Sequence, residues 1–150
     1  YSCLDPLMKE FNRRFACQRV SLSLPSLRVG SVNNEMLREL KAVRKSGFTI
    51  APEAGTDRLR AVINKDFTSD TYAQALETLF KSGWQSLKLY FMIGLPTETD
   101  EDITAIPEMV WQAINTSKRL TKRRATLSVG VSPFVPKPEP PSLMPCVSPD

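Results

Sequence analysis

Two predicted strand ends carry residues that could contact a nucleoside. Glu53 ends the short β-rich run FTIAPE and is followed by an Ala-Gly turn and a helix cap, so its carboxylate would project from the strand end. The vicinal hydroxyls of a ribose are a natural partner for a carboxylate in that position. A local cap or salt bridge would also account for Glu53, and position alone leaves both interpretations open.

The second strand end lies in LKLYFMIGLPTETDEDI, residues 87–103, where an apolar run stops at Gly94 and an acidic, helix-like stretch follows. Gly94 lets a backbone approach a flat ligand closely, and Pro96 rigidifies the turn. Glu98 lies near the start of the next helix, where the dipole favours a negative charge whatever the function is. A turn of this kind can also be a loop that binds nothing.

Helices and strands alternate along the chain and must position these residues. Apolar side chains at three- and four-residue spacing predict helices, and short alternating or continuous apolar runs predict strands. The predicted helices cover residues 4–15, 34–47, 56–64, 69–83 and 99–119. The predicted strands cover residues 19–26, 48–55, 87–93 and 125–132.

Four strands separated by helices predict right-handed βαβ units and a parallel α/β sheet. The run 87–93 is apolar at nearly every residue, which predicts a strand covered on both faces. Ligands bind at the carboxyl ends of such strands. We expect one domain over residues 1–132, followed by an irregular tail over residues 133–150, which hold seven of the twelve prolines.

Composition excludes several classes of site. The chain has no histidine, which rules out histidine general bases and histidine-ligated zinc. Cys3, Cys17 and Cys146 are too widely spaced for a disulfide framework or a compact metal site. The sequence shows neither a membrane-length apolar run nor a signal peptide, so we expect a cytoplasmic protein without a membrane partner.

A mild basic excess leaves a second function class open. The net charge is +4, and five bases fall within residues 118–124. A nucleic-acid-binding α/β module could use this stretch together with Trp84 or Trp111 as stacking rings. The simpler interpretation is a solvated helix end, with both tryptophans in the core.

Two motifs resemble the radical S-adenosylmethionine (SAM) superfamily. APEAGTDRLRAVINK is similar to its Glu/Gln-Ser-Gly-Ser-Asp-x-x-Leu-Lys-x-Met-x-Arg stretch, and YFMIGLPTETDEDI to its Phe-Ile-x-Gly-Phe-Pro-Gly-Glu-Thr-x-x-Asp stretch. The resemblance runs from Tyr1 to about Pro138 and is close to uncharacterised iron-sulfur members of the B12-binding type. It implies a parallel partial (βα)6 TIM-like barrel, here an incomplete piece with about four strands, equivalent to strands 3 to 6 of the parent.

The resemblance also implies a SAM pocket at the strand ends. Glu53 would contact the ribose of SAM, and Gly55, in the same turn, is also expected among the SAM-binding residues. Met92 and Gly94 would hold the adenine, and Glu98 closes that motif.

Two other positions extend or modify this implied pocket. Arg28, at the exit of the first predicted strand, could reach a carboxylate of SAM or of the substrate, or could form a surface salt bridge. Thr97 stands where the family has a glycine, which removes some backbone freedom.

The chain lacks the motif that would make it complete. Radical SAM enzymes hold a [4Fe-4S] cluster on a C-x3-C-x2-C loop and generate a 5′-deoxyadenosyl radical from SAM. No such triplet occurs here, so the resemblance implies a fragment that is inactive alone, whether by natural truncation or by deliberate cutting. Its expected partners are SAM, the remainder of the parent barrel, and a second copy bound through the unpaired edge of the strand at 19–26.

Overall fold

The computed structural model describes residues 4–18, 20, 37, 39, 47–65 and 67–136. The predicted strand 19–26, nearly all of the predicted helix 34–47, and Arg28 lie outside these residues. The described elements begin with helix α1 (Leu4–Phe15) and a 3-10 turn (Ala16–Gln18). They continue through β1 (Phe48–Glu53), α2 (Asp57–Val62), α3 (Ser69–Lys81), β2 (Ser86–Ile93), α4 (Asp100–Thr121) and β3 (Thr126–Pro133).

The three described strands form one parallel sheet in the order β1-β2-β3. Ile50 lies opposite Leu89, and Leu89 lies opposite Val129. Helices α2 and α3 connect β1 to β2, and α4 connects β2 to β3. Parallel neighbours need such crossovers, so the predicted α/β class is confirmed. The sheet is compatible with a piece of a TIM-like barrel.

Threonine side chains cap the N-termini of α2 and α3. The Thr56 hydroxyl accepts a hydrogen bond of 3.2 Å from the Leu59 amide at the start of α2. The Thr68 hydroxyl accepts one of 3.2 Å from the Thr71 amide at the start of α3. The cap of α3 thus lies just before the serine and aspartate that the sequence suggested as its first residues.

Helices α3 and α4 cover one face of the sheet, and the core lies between these two helices and the sheet. Alternate residues of β2 are buried beneath α3 and α4, whereas Lys88 and Tyr90 on the other face are exposed. The prediction that β2 is covered on both faces is therefore wrong for the described part of the chain. A strand alternates its side chains, so helices on one side bury only every second residue. The buried residues of β2 are Leu87, Leu89 and Phe91.

The two tryptophans, both predicted to lie in the core, differ in their exposure. Trp111 is 61% exposed, whereas Trp84 is buried as predicted. The core face of α4 is formed by residues at helical spacing, among them Ile106 and Ala113, and Trp111 projects from the opposite side. None of the helices in the described ranges is long and apolar enough to cross a membrane.

Candidate nucleoside site

The fold brings two of the predicted strand ends to one edge. Strands β1 and β2 are adjacent and parallel, so both end on the same side of the sheet. Glu53 pairs in register with Phe91, three residues before Gly94. We call the segments that lead from the ends of β1 and β2 into the next helices the strand exits. Ala54 lies in the exit of β1 and Leu95 in the exit of β2, and the two share a small apolar cluster against which Met92 packs. The segments carrying Glu53, Met92 and Gly94 are therefore neighbours.

Glu53 has an unusual backbone. The register of β1 shifts between Ile50 and Glu53, and Glu53 has a φ of 69°. A residue with a Cβ in this left-handed region costs about 1–3 kcal/mol, and bulges and strain of this kind concentrate at functional sites. Its carboxylate accepts a hydrogen bond of 2.8 Å from Lys65 Nζ, and both side chains are 32% exposed. The carboxylate is thus oriented and still reachable.

The turn after β2 is closed by its own side chains. Glu98 Oε2 accepts a hydrogen bond of 2.6 Å from the Gly94 amide, and the Glu98 amide donates one of 3.1 Å to the Leu95 carbonyl. Gly94 has a φ of 78°, and no atom lies within 4 Å of the position where its Cβ would stand. The backbone at Gly94 therefore faces open space, as a surface for a flat ligand requires.

Backbone strain is concentrated at the two exits. Among the described residues, four other than glycine have a positive φ. Asn64 and Lys122 lie at helix C-termini, where this conformation is ordinary. The other two are Glu53 and Thr97, with a φ of 63° at Thr97, one at each exit. Thr97 thus adopts a left-handed conformation that glycine reaches at a lower cost.

Replacing Thr97 with glycine should stabilise the chain. We expect the free energy of unfolding to rise by about 0.5–1 kcal/mol, because the left-handed region costs a residue with a Cβ about 1–2 kcal/mol and the flexibility of glycine offsets part of this. Chemical denaturation measures the change. Thr104→Gly, on the exposed side of α4, is the control and should destabilise. A loss of stability in both variants would show that Thr97 is not strained.

Asp102 joins the two exits. Its buried carboxylate, 2% exposed as a residue, accepts hydrogen bonds from the Thr56 hydroxyl after β1 and from the Arg58 guanidinium. It also accepts one of 2.8 Å from the Thr99 amide at the start of α4. Arg58 in turn donates one of 2.9 Å to the Thr97 carbonyl. One carboxylate thus fixes both loops relative to each other.

The protonation of Asp102 follows from these contacts. Burial would raise the pKa of its carboxyl group, but hydrogen bonds from Thr56, Thr99 and Arg58 outweigh burial, and the pKa lies below its ordinary value. The carboxylate is therefore ionised at neutral pH. The sequence predicts Asp102 as the acid of a capping box that begins at Thr99, and the hydrogen bond from the Thr99 amide confirms this. The contacts of Asp102 with Thr56 and Arg58 were not predicted.

Gly55 is buried against the first turns of α4. A Cβ on Gly55 would lie 2.3 Å from the Asp102 carbonyl oxygen and 2.9 Å from the Ile106 nitrogen. Both are backbone atoms, which cannot rotate away. The absence of a side chain at Gly55 thus allows the loop after Glu53 to approach α4 closely.

A buried arginine fixes the same loop from the other side. Arg60 is fully buried and donates hydrogen bonds of 2.7 Å to the Ala54 carbonyl and 3.1 Å to the Phe67 carbonyl. It also forms an ion pair with Asp57. Arg60 was not predicted as part of the site, although its three-residue spacing from Asp57 is a helical pairing signal. Arg60 therefore fixes the backbone of Ala54, the residue that follows Glu53.

The chain does not supply ligands for an iron-sulfur cluster. Its three cysteines do not form the C-x3-C-x2-C motif. The described residues contain no group of three potential metal ligands, and the described cysteine, Cys17, is exposed. The donor set therefore does not fit a [4Fe-4S] cluster.

The basic stretch 118–124 lies away from this site. It ends α4 and leads into β3, so it stands at the amino edge of the sheet, opposite the strand exits. Arg119 is paired at 2.8 Å with Glu77 of α3. The exposed ring of Trp111 lies on the same helix. A nucleic-acid partner for this surface stays a prediction.

Two comparisons relate the chain to known proteins. The family model of the radical SAM superfamily matches residues 6–110. Over 119 residues the chain is 41% identical to "Uncharacterized protein MJ0966" of Methanocaldococcus jannaschii. The aligned region covers 79% of this chain and 24% of that relative. The chain thus spans a small part of the relative's length. On the family match, this chain belongs to the radical SAM superfamily.

Proposed function

We propose that the chain forms the ribose- and adenine-binding part of a SAM site within a radical SAM enzyme. The observation that carries this proposal is the pair of adjacent strand exits, each with a strained residue and both fixed by Asp102. Ordered, strained backbone at the carboxyl edge of a parallel sheet is what nucleotide sites in α/β folds use.

Each residue of the pocket has a distinct part in this proposal. The Glu53 carboxylate accepts hydrogen bonds from the ribose hydroxyls, and Lys65 orients it. The half-buried Met92 contacts the adenine face, and the open backbone at Gly94 lies beside the ring. Glu98 keeps the turn closed. Gly55 acts through its packing, and Arg28, which lies outside the described residues, is proposed to bind a carboxylate of the ligand.

The proposal treats the chain as one part of a catalytic site. Cluster chemistry would need a C-x3-C-x2-C motif that this sequence does not contain, so its residues take no part in that chemistry. What the chain supplies is binding and orientation of the nucleoside.

Calorimetry with S-adenosylhomocysteine tests this proposal on the full chain. We expect binding to the wild type and a loss of roughly 10- to 100-fold in Glu53→Gln, because a hydrogen bond to a charged group contributes about 1.5–3 kcal/mol. Glu108→Gln, an exposed change on α4, is the matched control and should bind like the wild type. Equal affinity of Glu53→Gln and the wild type would exclude the assigned ribose contact.

A further inference from the structure

In the described part of the chain, the face of the sheet opposite α3 and α4 is left open and carries a row of polar side chains that the nucleoside site does not use. Lys88 in β2 lies opposite Thr49 in β1 and Ser128 in β3. Neighbouring strands are about 4.8 Å apart, and paired residues present their side chains on the same face. The Lys88 side chain therefore rises from the same face as a hydroxyl-bearing side chain on each neighbouring strand. We call Thr49, Lys88 and Ser128 the oxyanion row.

The charge of Lys88 is not balanced within the described part of the chain. Lys88 is exposed, and it takes part in none of the ion pairs that the structure describes there. Glu53, the acid at the end of β1, is already paired with Lys65. A cation flanked by hydroxyls and free of carboxylates favours an anionic ligand.

An aromatic platform continues the row toward the strand exits. Tyr90, two residues beyond Lys88 on the same face, is 47% exposed. Its ring lies against Gly130 of β3, where a Cβ would come within 2.7 Å of the ring carbon Cδ1. Glycine at this position thus makes room for the ring. Tyr90 separates the oxyanion row from Met92 and offers an apolar surface between them.

We infer that this face binds an anionic substrate, with a phosphate or carboxylate group at the oxyanion row and the body of the molecule over Tyr90. This inference rests on the proposed SAM site, because it places the substrate on the face that leads to Met92. Met92 lies four residues beyond Lys88, about 13 Å along the strand. The substrate class is therefore an elongated oxyanion that reaches from Lys88 toward the nucleoside.

Titration of the full ¹⁵N-labelled chain with phenyl phosphate, benzoate and benzyl alcohol tests the inference by amide shifts. We expect phenyl phosphate or benzoate to shift the amides of the oxyanion row, and the tighter of the two identifies the group. Neutral benzyl alcohol should produce no such shifts. Lys88→Met should weaken binding by roughly tenfold or more, and Lys88→Arg should keep it because the charge remains. Lys118→Met, on α4, is the control and should bind like the wild type.

Several outcomes would overturn the inference. Equal shifts with benzyl alcohol would show that binding does not require a negatively charged group. Unchanged binding in Lys88→Met would show that the oxyanion row does not bind the anion. Shifts confined to residues 118–124 would place the anion on the basic stretch instead. The affinity of Lys88→Met for S-adenosylhomocysteine should equal that of the wild type. A chain that binds phenyl phosphate at the row but not S-adenosylhomocysteine would retain the oxyanion row and exclude the nucleoside site.

Discussion

Replacing Asp102 with alanine should lower the free energy of unfolding by about 3 kcal/mol, because hydrogen bonds to a buried carboxylate contribute about 1.5–3 kcal/mol each. The change removes the acceptor for the Thr56 hydroxyl and the Thr99 amide, and so disconnects the two strand exits. The pair with Arg58 adds little, since the Arg58 side chain is half exposed. Urea denaturation of wild type and variant measures the loss.

Asp100 provides the control for this change. It is exposed in the first turn of the same helix, so Asp100→Ala keeps the helix and loses only a favourable dipole contact of about 0.3–1 kcal/mol. Similar losses in the two variants would mean that Asp102 acts as an ordinary helix-start acid. Contacts other than those of Asp102 would then have to hold the two strand exits together.

The pH dependence of Asp102→Asn gives an independent check. Because the pKa of Asp102 lies below its ordinary value in the folded chain, its stabilising contribution is fully present above about pH 4 and is lost as the pH falls further. The difference in the free energy of unfolding between wild type and Asp102→Asn should therefore be constant at neutral pH and become smaller in acid. A difference that becomes larger below pH 4 would reverse the assigned direction of the pKa shift.

Replacing Gly55 with alanine should cost about 3 kcal/mol of unfolding free energy, at the upper end of what overpacking usually costs. The new methyl group would meet the Asp102 carbonyl and the Ile106 nitrogen, so α4 and the loop after Glu53 must separate. We also expect weaker binding of S-adenosylhomocysteine, because the Glu53 loop moves with Gly55. Thermal denaturation and calorimetry measure the two effects.

Gly94→Ala separates steric clash from backbone strain. Its Cβ would meet nothing within 4 Å, so only the positive φ is penalised, at about 1 kcal/mol. The loss of stability should therefore be clearly smaller than in Gly55→Ala. The reverse order would show that the loop after Glu53 does not pack closely on α4.

The parallel arrangement of the two exits could be predicted from the sequence because it rests on local signals. Apolar runs, turn residues and helix caps each mark an element, and crossover helices force neighbouring strands to run parallel. Glu53 and Gly94 therefore fell at one edge of the sheet, as expected.

The hydrogen bonds that connect the two strand exits could not be predicted from local signals. Asp102 and Thr56 are 46 residues apart, and no periodicity relates a buried acid to a distant hydroxyl. The open face of β2 was missed for a related reason, because an apolar run does not reveal how many layers cover it. Trp111 was placed in the core by its type, but the helical position decides, and that position faces outward.

The position of bound adenine tests the central claim most directly. Nuclear Overhauser contacts between the adenine protons of S-adenosylhomocysteine and methionine methyl groups of the full, methyl-labelled chain report it. We predict contacts to the methyl group of Met92 and none to Met8 of α1 or Met109 of α4, which are both buried. Bound ligand without a contact to Met92 would show that the paired strand exits do not form the nucleoside site.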